Sequence, residues 1–256
     1  MERKNWTRDE LILAFNLYLK LPFGKLHSRT KEIIELSEII GRTSGSVAMR
    51  LNNFASVDPY HQQRGISGLT GGRKQVEPIW EEFINNKEDL LFESERILAE
   101  MQHKTIENKF ADILQGIDNL KGEVKLREVK TRINQNIFRQ IVVANYVGKC
   151  AITGIDIPDL LVASHIIPWS KNENERLNPE NGICLSSLYD KAYDKGYIGI
   201  TEELTIILSK EIKAKSKEKY FDKVFSDIEG KSICLPQKYV PKKEFLQYHL
   251  DTIFKG

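Results

Sequence analysis

The 256-residue sequence predicts an α+β fold: a helical domain over residues 1–80, a helical connector over 81–125, and a β-β-α domain over 126–256 with its core at about 150–200. Three observations carry this reading. Apolar residues keep helical spacing through most of the chain before Gly148. Two short apolar runs of strand length follow, one ending at His165 and one opening at Gly182. The composition, 41% hydrophobic and 29% charged, is that of a folded globular protein.

Thr7 can cap a first helix, and Glu10, three residues on, can complete a capping box. Leu11, Leu13, Ala14, Leu17 and Tyr18 then face inward up to Pro22. A second helix over Lys31–Ile40 turns Ile33, Ile34, Leu36, Ile39 and Ile40 inward, and Gly41 relieves the left-handed position that ends it. Thr43 or Ser44 caps a third helix, with Val47, Ala48, Leu51 and Phe54 on its inner side. Three short helices with a glycine turn before the third match a helix-turn-helix. Its exposed positions, Ser44, Ser46, Arg50, Asn52 and Asn53, carry side chains that reach base edges or phosphates, and Arg42 beside them is a further candidate DNA contact. A trihelical packing module that touches no DNA fits the same pattern.

Val57–Lys74 is rich in Gly, Gln, His and Arg and reads as a loop or a second arm facing DNA. It holds no Gly-Lys-Ser/Thr phosphate loop, so no nucleotide cofactor is expected. From Trp80 to about Leu120 the pattern is helical, a connector that either pairs subunits or packs within one chain. Another helix is expected over Glu128–Tyr146. Net charge is only +2, but its distribution is uneven. Between Lys121 and Lys149 seven basic residues, Arg132 and Arg139 among them, face only Glu123 and Glu128. Such a stretch suits a phosphate backbone or forms a solvated helix face.

No apolar run approaches the roughly 20 residues of a membrane span. Met1–Trp6 has no signal-peptide character, and a cytoplasmic protein is expected. Three cysteines, Cys150, Cys184 and Cys234, include no Cys-x2-Cys pair, so buried thiols and no structural zinc are expected.

The β-β-α unit carries the chemistry. A strand ends at His165, a polar loop follows, a second strand spans Gly182–Leu185, and a helix starts at about Ser187. His165 at a strand end can take a proton from water near neutral pH. Asp190 and Asp194 are four residues apart and share one helix face, which suits a hard cation that also touches a phosphate oxygen. Asn181 can hydrogen-bond across the loop and hold it near His165. Singly, each has a structural reading: a packed histidine, a solvated acidic pair, an Asn-Gly turn. Their order and spacing together point to a site.

That order resembles the HNH nuclease family, in particular its restriction-enzyme-like branch. The residues that carry the resemblance are Ala163-Ser164-His165-Ile166-Ile167-Pro168-Trp169, Asn178-Pro179-Glu180-Asn181-Gly182 and Leu188-Tyr189-Asp190-Lys191-Ala192-Tyr193-Asp194-Lys195-Gly196. Arg132–Gln135, Phe138-Arg139 and the tail Glu244–His249 are similar to its flanks. The resemblance implies a ββα-metal fold in which His165 is the general base, Asn181 orients its loop, and Asp190 replaces the family's final histidine ligand. Ser164 stands where the family often has an acidic ligand, with Asp194 one turn on to compensate. One divalent cation per site, Mg²⁺ or Mn²⁺, is implied. Arg132, Arg139 and Lys191 are candidates to hold the strand.

The resemblance thus implies a metal-dependent, restriction-type DNA endonuclease acting on double-stranded DNA at specific, possibly modified, sites. A homodimer is expected if both strands are cut. The rival is a DNA-binding transcriptional regulator with a degenerate nuclease fold. The tail is expected to hold a strand at Leu204–Leu208, a charged loop or helix at Lys210–Lys219, and a closing helix at Glu244–Phe254 whose His249 faces the site or packs.

Overall fold

A computed structural model describes residues 5–65, 68–117 and 119–256; Ile66 and Ser67 of the expected glycine-rich loop lie outside the described residues. The chain divides into two compact units, one up to Ile137 and one over Phe138–Gly256.

In the first unit α1 (Arg8–Lys20) starts from a complete capping box, Thr7 and Glu10 each accepting the other's backbone N–H. It buries nearly every apolar side chain it has, so α2 (Lys31–Ile39), α3 (Ser44–Val57) and later helices surround it. Gly41 ends α2 at φ 65°, and the Thr43 hydroxyl caps α3 on the Ser46 N–H. Phe15 stacks on Phe54 at 4.7 Å and meets Trp80 at 5.1 Å.

The stretch expected as one long loop is partly helical. Asp58 caps α4 (Pro59–Gln63) by accepting from the Tyr60 N–H at 2.9 Å, with Pro59 in the first turn, where its missing N–H does no harm. A 3-10 turn at 70–72 leads into α5 (Arg73–Phe83), whose Val76, Ile79, Trp80 and Phe83 are buried in the first core. Residue 80 is therefore inside an element, not at a boundary. Leu90 and Ile97 of α6 (Lys87–Met101) belong to the same core. Glu95 of α6 is buried, and Lys20 at 2.9 Å and Lys109 at 2.7 Å from its carboxylate outweigh burial and hold its pKa near about 2. Lys109 ends the short α7 (Ile106–Lys109). The residues expected as a connector thus pack within their own unit.

The helix expected from Glu128 begins earlier, as α8 (Gly122–Asn145), and passes through the division between the units. In the second unit β1 (Leu161–His165) and β2 (Gly182–Ser186) pair antiparallel, with His165 opposite Gly182. α9 (Ser187–Asp194) follows directly. A hairpin of β3 (Ile198–Ile200) and β4 (Ile206–Leu208) adds a strand at Ile198 that the sequence pattern did not reveal. Leu204 is not in β4, because it turns the hairpin at φ 61°. Then come α10 (Lys210–Lys213), α11 (Lys219–Val224) and α12 (Lys243–Thr252). No helix among the described residues is long and apolar enough to cross a membrane.

Candidate active site

Gly182 sets how closely α8 approaches the strand pair. A Cβ there would lie 2.5 Å from Val142 Cγ2 and 2.9 Å from Phe138 Cζ. With only hydrogen at that position, Phe138 reaches the hairpin and its ring stacks on the His165 imidazole, centroids 4.0 Å apart and planes 14° apart. Trp169 meets the same imidazole edge-on at 5.5 Å. His165 Nε2 lies 2.8 Å from the Arg176 carbonyl oxygen. A carbonyl only accepts, so Nε2 carries the proton and Nδ1 keeps its lone pair. Burial lowers the His165 pKa against the smaller upward pull of that carbonyl, so the ring is neutral at neutral pH.

The loop between the strands is laced from within. Asn181 is 1% exposed. Its Oδ1 accepts from the Ile167 N–H at 2.8 Å, and its Nδ2 donates to the Ile167 and Glu175 carbonyls, each at 3.1 Å. Its backbone carbonyl accepts from the Ile166 N–H at 3.0 Å. Arg176 donates to the Trp169 carbonyl at 2.7 Å, and its guanidinium lies 5.3 Å from the Trp169 ring centroid. Asn181 thereby fixes the two residues after His165, and Arg176 fixes the carbonyl that holds the imidazole.

Ser164 precedes His165 on β1, so the two side chains point to opposite faces. Ser164 faces α9. Its hydroxyl is buried and makes no well-formed hydrogen bond among the described residues, yet it lies close enough to Asp190 to favour the charged carboxylate. Burial nevertheless raises the Asp190 pKa. Asp194 is exposed at the surface, and partial desolvation, then Asp190, raises its pKa, while Lys191 and Lys195 pull it down. The carboxylates repel each other across one helical turn.

This donor set suits a hydrated hard cation. Among the described residues no group of three or more His, Cys, Asp and Glu is placed to hold a metal by itself. Two carboxylates with a hydroxyl, completed by water and a phosphate oxygen, are the usual partners of Mg²⁺. Positive charge beside them would favour the Ser164 oxygen, which makes no well-formed hydrogen bond among the described residues, and would offset the mutual repulsion of the carboxylates.

Other predicted site residues lie elsewhere or are engaged. Lys191 is exposed on α9. Arg139 donates to the Pro158 and Leu161 carbonyls at 2.8 and 3.0 Å, holding the start of β1. Arg132, in the first unit, donates to the Gln115 and Ile113 carbonyls and pairs with Glu128 at 2.9 Å. Both guanidiniums thus serve local backbone.

On α3 the expectation for Asn53 is corrected: it is 3% exposed and donates to the Leu69 carbonyl at 2.5 Å. The 68–72 segment packs on α3 so tightly that a Cβ on Gly72 would lie 2.1 Å from Asn53 Oδ1. Asn52 is half-buried and donates to the Leu26 and Ala48 carbonyls, each at 2.8 Å. Arg42 pairs with Glu10 at 2.7 Å and lies over the Trp6 ring at 4.4 Å. Arg50 lies over that ring at 4.9 Å, and burial, then Arg42, lowers its pKa. Ser44 and Ser46 are half-buried beside the exposed Gly45 and Met49.

Phe138, the Arg176 carbonyl and His249 were missed or left open by sequence reasoning. A backbone carbonyl leaves no side-chain signature, whereas Phe138 sits on the buried side of a predicted helix and was legible as packing. Cys150 and Cys184 are buried and Cys234 is exposed. The Cys150 thiol accepts from the Ser186 N–H at 3.2 Å, and burial, with Cys150 nearby, pushes Cys184 up to about 12.

Residues 150–201 match the family model described as HNH endonuclease, and this stretch of the chain is an HNH endonuclease domain. No curated protein matches the chain.

Proposed function

Taking the HNH endonuclease domain at residues 150–201 as premise, we propose that the chain is a divalent-metal-dependent endodeoxyribonuclease whose general base is His165 Nδ1. The observation that carries this reading is the 2.8 Å contact of His165 Nε2 with the Arg176 carbonyl. It fixes the tautomer and leaves Nδ1 as the basic nitrogen, as a water-activating imidazole requires.

Asp190 and Asp194, with Ser164 Oγ beside them, are the residues that would hold the cation. When bound, the cation supplies charge stabilisation for the phosphorane-like transition state and the departing 3′-oxygen. A water gives its proton to His165 Nδ1 as its oxygen bonds to phosphorus. The bond from phosphorus to the 3′-oxygen breaks, leaving a 5′-phosphate and, once protonated, a 3′-hydroxyl. Asn181 and Phe138 keep the imidazole from turning during the transfer. Lys191, exposed on the carboxylate helix, is the cation we assign to a phosphate.

The first unit is proposed as the DNA-selecting part, restriction-type in its role. Arg50 supports this, because its half-buried guanidinium, against Trp6 and the Gly72 carbonyl, is paired with no carboxylate among the described residues. Cutting both strands of a duplex with one such site per chain calls for a homodimer.

The test incubates supercoiled plasmid from methylating and non-methylating hosts with Mg²⁺ or Mn²⁺, using His165→Ala as control. Metal-dependent nicking that the variant loses is the expected result, and unequal cutting of the two plasmids supports modification-dependent selection. DNA binding without nicking under any metal overturns the nuclease reading in favour of a DNA-binding regulator.

A further inference from the structure

We infer that His249 is a positioning residue for the carboxylate helix α9, acting through the Tyr193 carbonyl. The C-terminal helix α12 is then part of the active-site architecture, although it lies outside the residues that match the family. The inference rests on the reading of Asp190 and Asp194 as cation ligands.

α9 has only 8 residues. A helix that short does not hold itself together, and its last carbonyls have no partners within it. Its N-terminus has no side-chain cap, since Ser186 makes none. Its first turn is tied by hydroxyls, Ser187 donating to the Leu160 carbonyl at 3.2 Å and Tyr189 to the Val224 carbonyl at 2.6 Å, and its C-terminal end, nearest Asp194, is held separately. His249 Nε2 lies 3.0 Å from the Tyr193 carbonyl oxygen, which also accepts from the Gly196 N–H at 2.9 Å. The His249 and Tyr193 rings lie face to face, centroids 3.7 Å apart and planes 3° apart. His249 is 1% exposed.

The bonded carbonyl belongs to the peptide unit between Tyr193 and Asp194. Fixing that plane fixes the direction in which Asp194 leaves the helix, and with it the spacing to Asp190 one turn earlier. The tail after α12 adds to the grip. The Lys255 N–H donates to the Gly196 carbonyl at 3.0 Å. A Cβ on Gly196 would lie 2.0 Å from the Ile253 carbonyl oxygen. Gly196 also sits at φ 70°, so glycine serves both the backbone turn and the close approach. A buried imidazole that only filled space would need neither the coplanar stack nor a donor aimed at the last turn of another helix. His249 Nδ1 is buried with no partner among the described residues, and burial pushes the pKa down to about 4, so the ring is neutral and donates from Nε2 alone.

The experiment measures Mn²⁺ binding to the full chain without DNA, by electron paramagnetic resonance titration, with a melting curve for each variant. His249→Phe keeps an aromatic face and removes the donor. His249→Gln removes the ring and places an amide N–H where Nε2 lies. H249F should bind Mn²⁺ about tenfold more weakly, the usual effect of losing the group that orients a ligand. H249Q should stay within about twofold of wild type, because the hydrogen bond is what orients the helix. If H249F does not fold, His249→Asn, whose donor falls one bond short, replaces it with the same expectation. Equal Mn²⁺ affinity in wild type and the donor-lacking variant overturns the inference, as does an equal loss in H249Q. A wild-type chain that binds no Mn²⁺ overturns the ligand reading itself, and this inference with it.

Discussion

The two halves of the candidate site are built on opposite principles. On the strand side, the Asn181 amide is bonded at both ends, the His165 Nε2 proton has an acceptor, and the imidazole lies against Phe138. On the helix side, the Ser164 hydroxyl lacks a well-formed bond among the described residues, and desolvation raises the pKa of both Asp190 and Asp194. The first half is satisfied by the protein alone, whereas the second becomes satisfied only with added positive charge. A base must be held in one orientation before its substrate arrives, so its contacts are internal. A cation site must keep open valences, so its groups stay under tension in the free chain.

Substitution of the base tests the first half at its centre. His165→Ala should lower the nicking rate by about 10²–10⁴-fold, the range for removal of a general base. Mn²⁺ binding should persist, because no carboxylate is touched. Nicking assays alongside metal titration check this, and a variant that loses both would merge the two halves into one.

A pH titration reaches the helix side from behind. Burial depresses the His249 pKa to about 4 in the folded chain, from an ordinary histidine value of about 6.5. A group with a depressed folded pKa contributes stability above its unfolded pKa and loses it as pH falls. The unfolded chain takes up the proton first. Between about pH 6.5 and 4 the second unit should lose about 3 kcal/mol through this residue. Its imidazole packs on the Tyr193 ring, and burial with the Tyr193 carbonyl accounts for its shift, so the comparison with H249Q isolates it from carboxylate titration. Denaturant melts at both pH values should show a steeper acid loss in wild type than in the variant.

Asn181→Ala breaks the satisfied half. Three hydrogen bonds vanish, two of them buried, and the Ile167 N–H and carbonyl are left without their partners. A loss of about 2–3 kcal/mol is expected, and the metal-free and metal-bound chains should lose it equally. Urea melts with and without Mn²⁺ decide this. A loss confined to the metal-bound form would mean that Asn181 serves the cation instead of the loop.

How much of this was legible in the sequence follows from the range of each interaction. The Thr7–Glu10 capping box, the strand ends at His165 and Gly182, and the start of α9 are local patterns, and the structure has them within a residue or two. Asn53 was misplaced because its helical position looks outward until a loop 16 residues further on folds over it. Arg132 and Arg139 were read as charge available to DNA, since a sequence does not show which carbonyls lie within reach. The grip of His249 on Tyr193 spans 56 residues. Periodicity assigned His249 to a helix, and only the fold decides which ring it meets.

The smallest expected effect tests the tension in the helix half by its sign. Asp190→Asn keeps the shape of the side chain and removes a charge that burial disfavours and that repels Asp194. In metal-free protein the variant should therefore be as stable as wild type or more stable, because burial outweighs the attraction of Lys191 that is lost with the charge. Ser164 gives the opposing contribution, since its hydroxyl favours the charged form, but burial is the larger influence. Adding Mn²⁺ should raise the melting temperature of wild type and leave that of D190N nearly unchanged, since binding to the folded state is what stabilises it. Thermal melts in chelator and in Mn²⁺ give both answers from one preparation. A D190N chain that melts lower than wild type in chelator would show that Asp190 is a structural carboxylate already satisfied by the protein. The contrast between the two halves would then fail at its central residue.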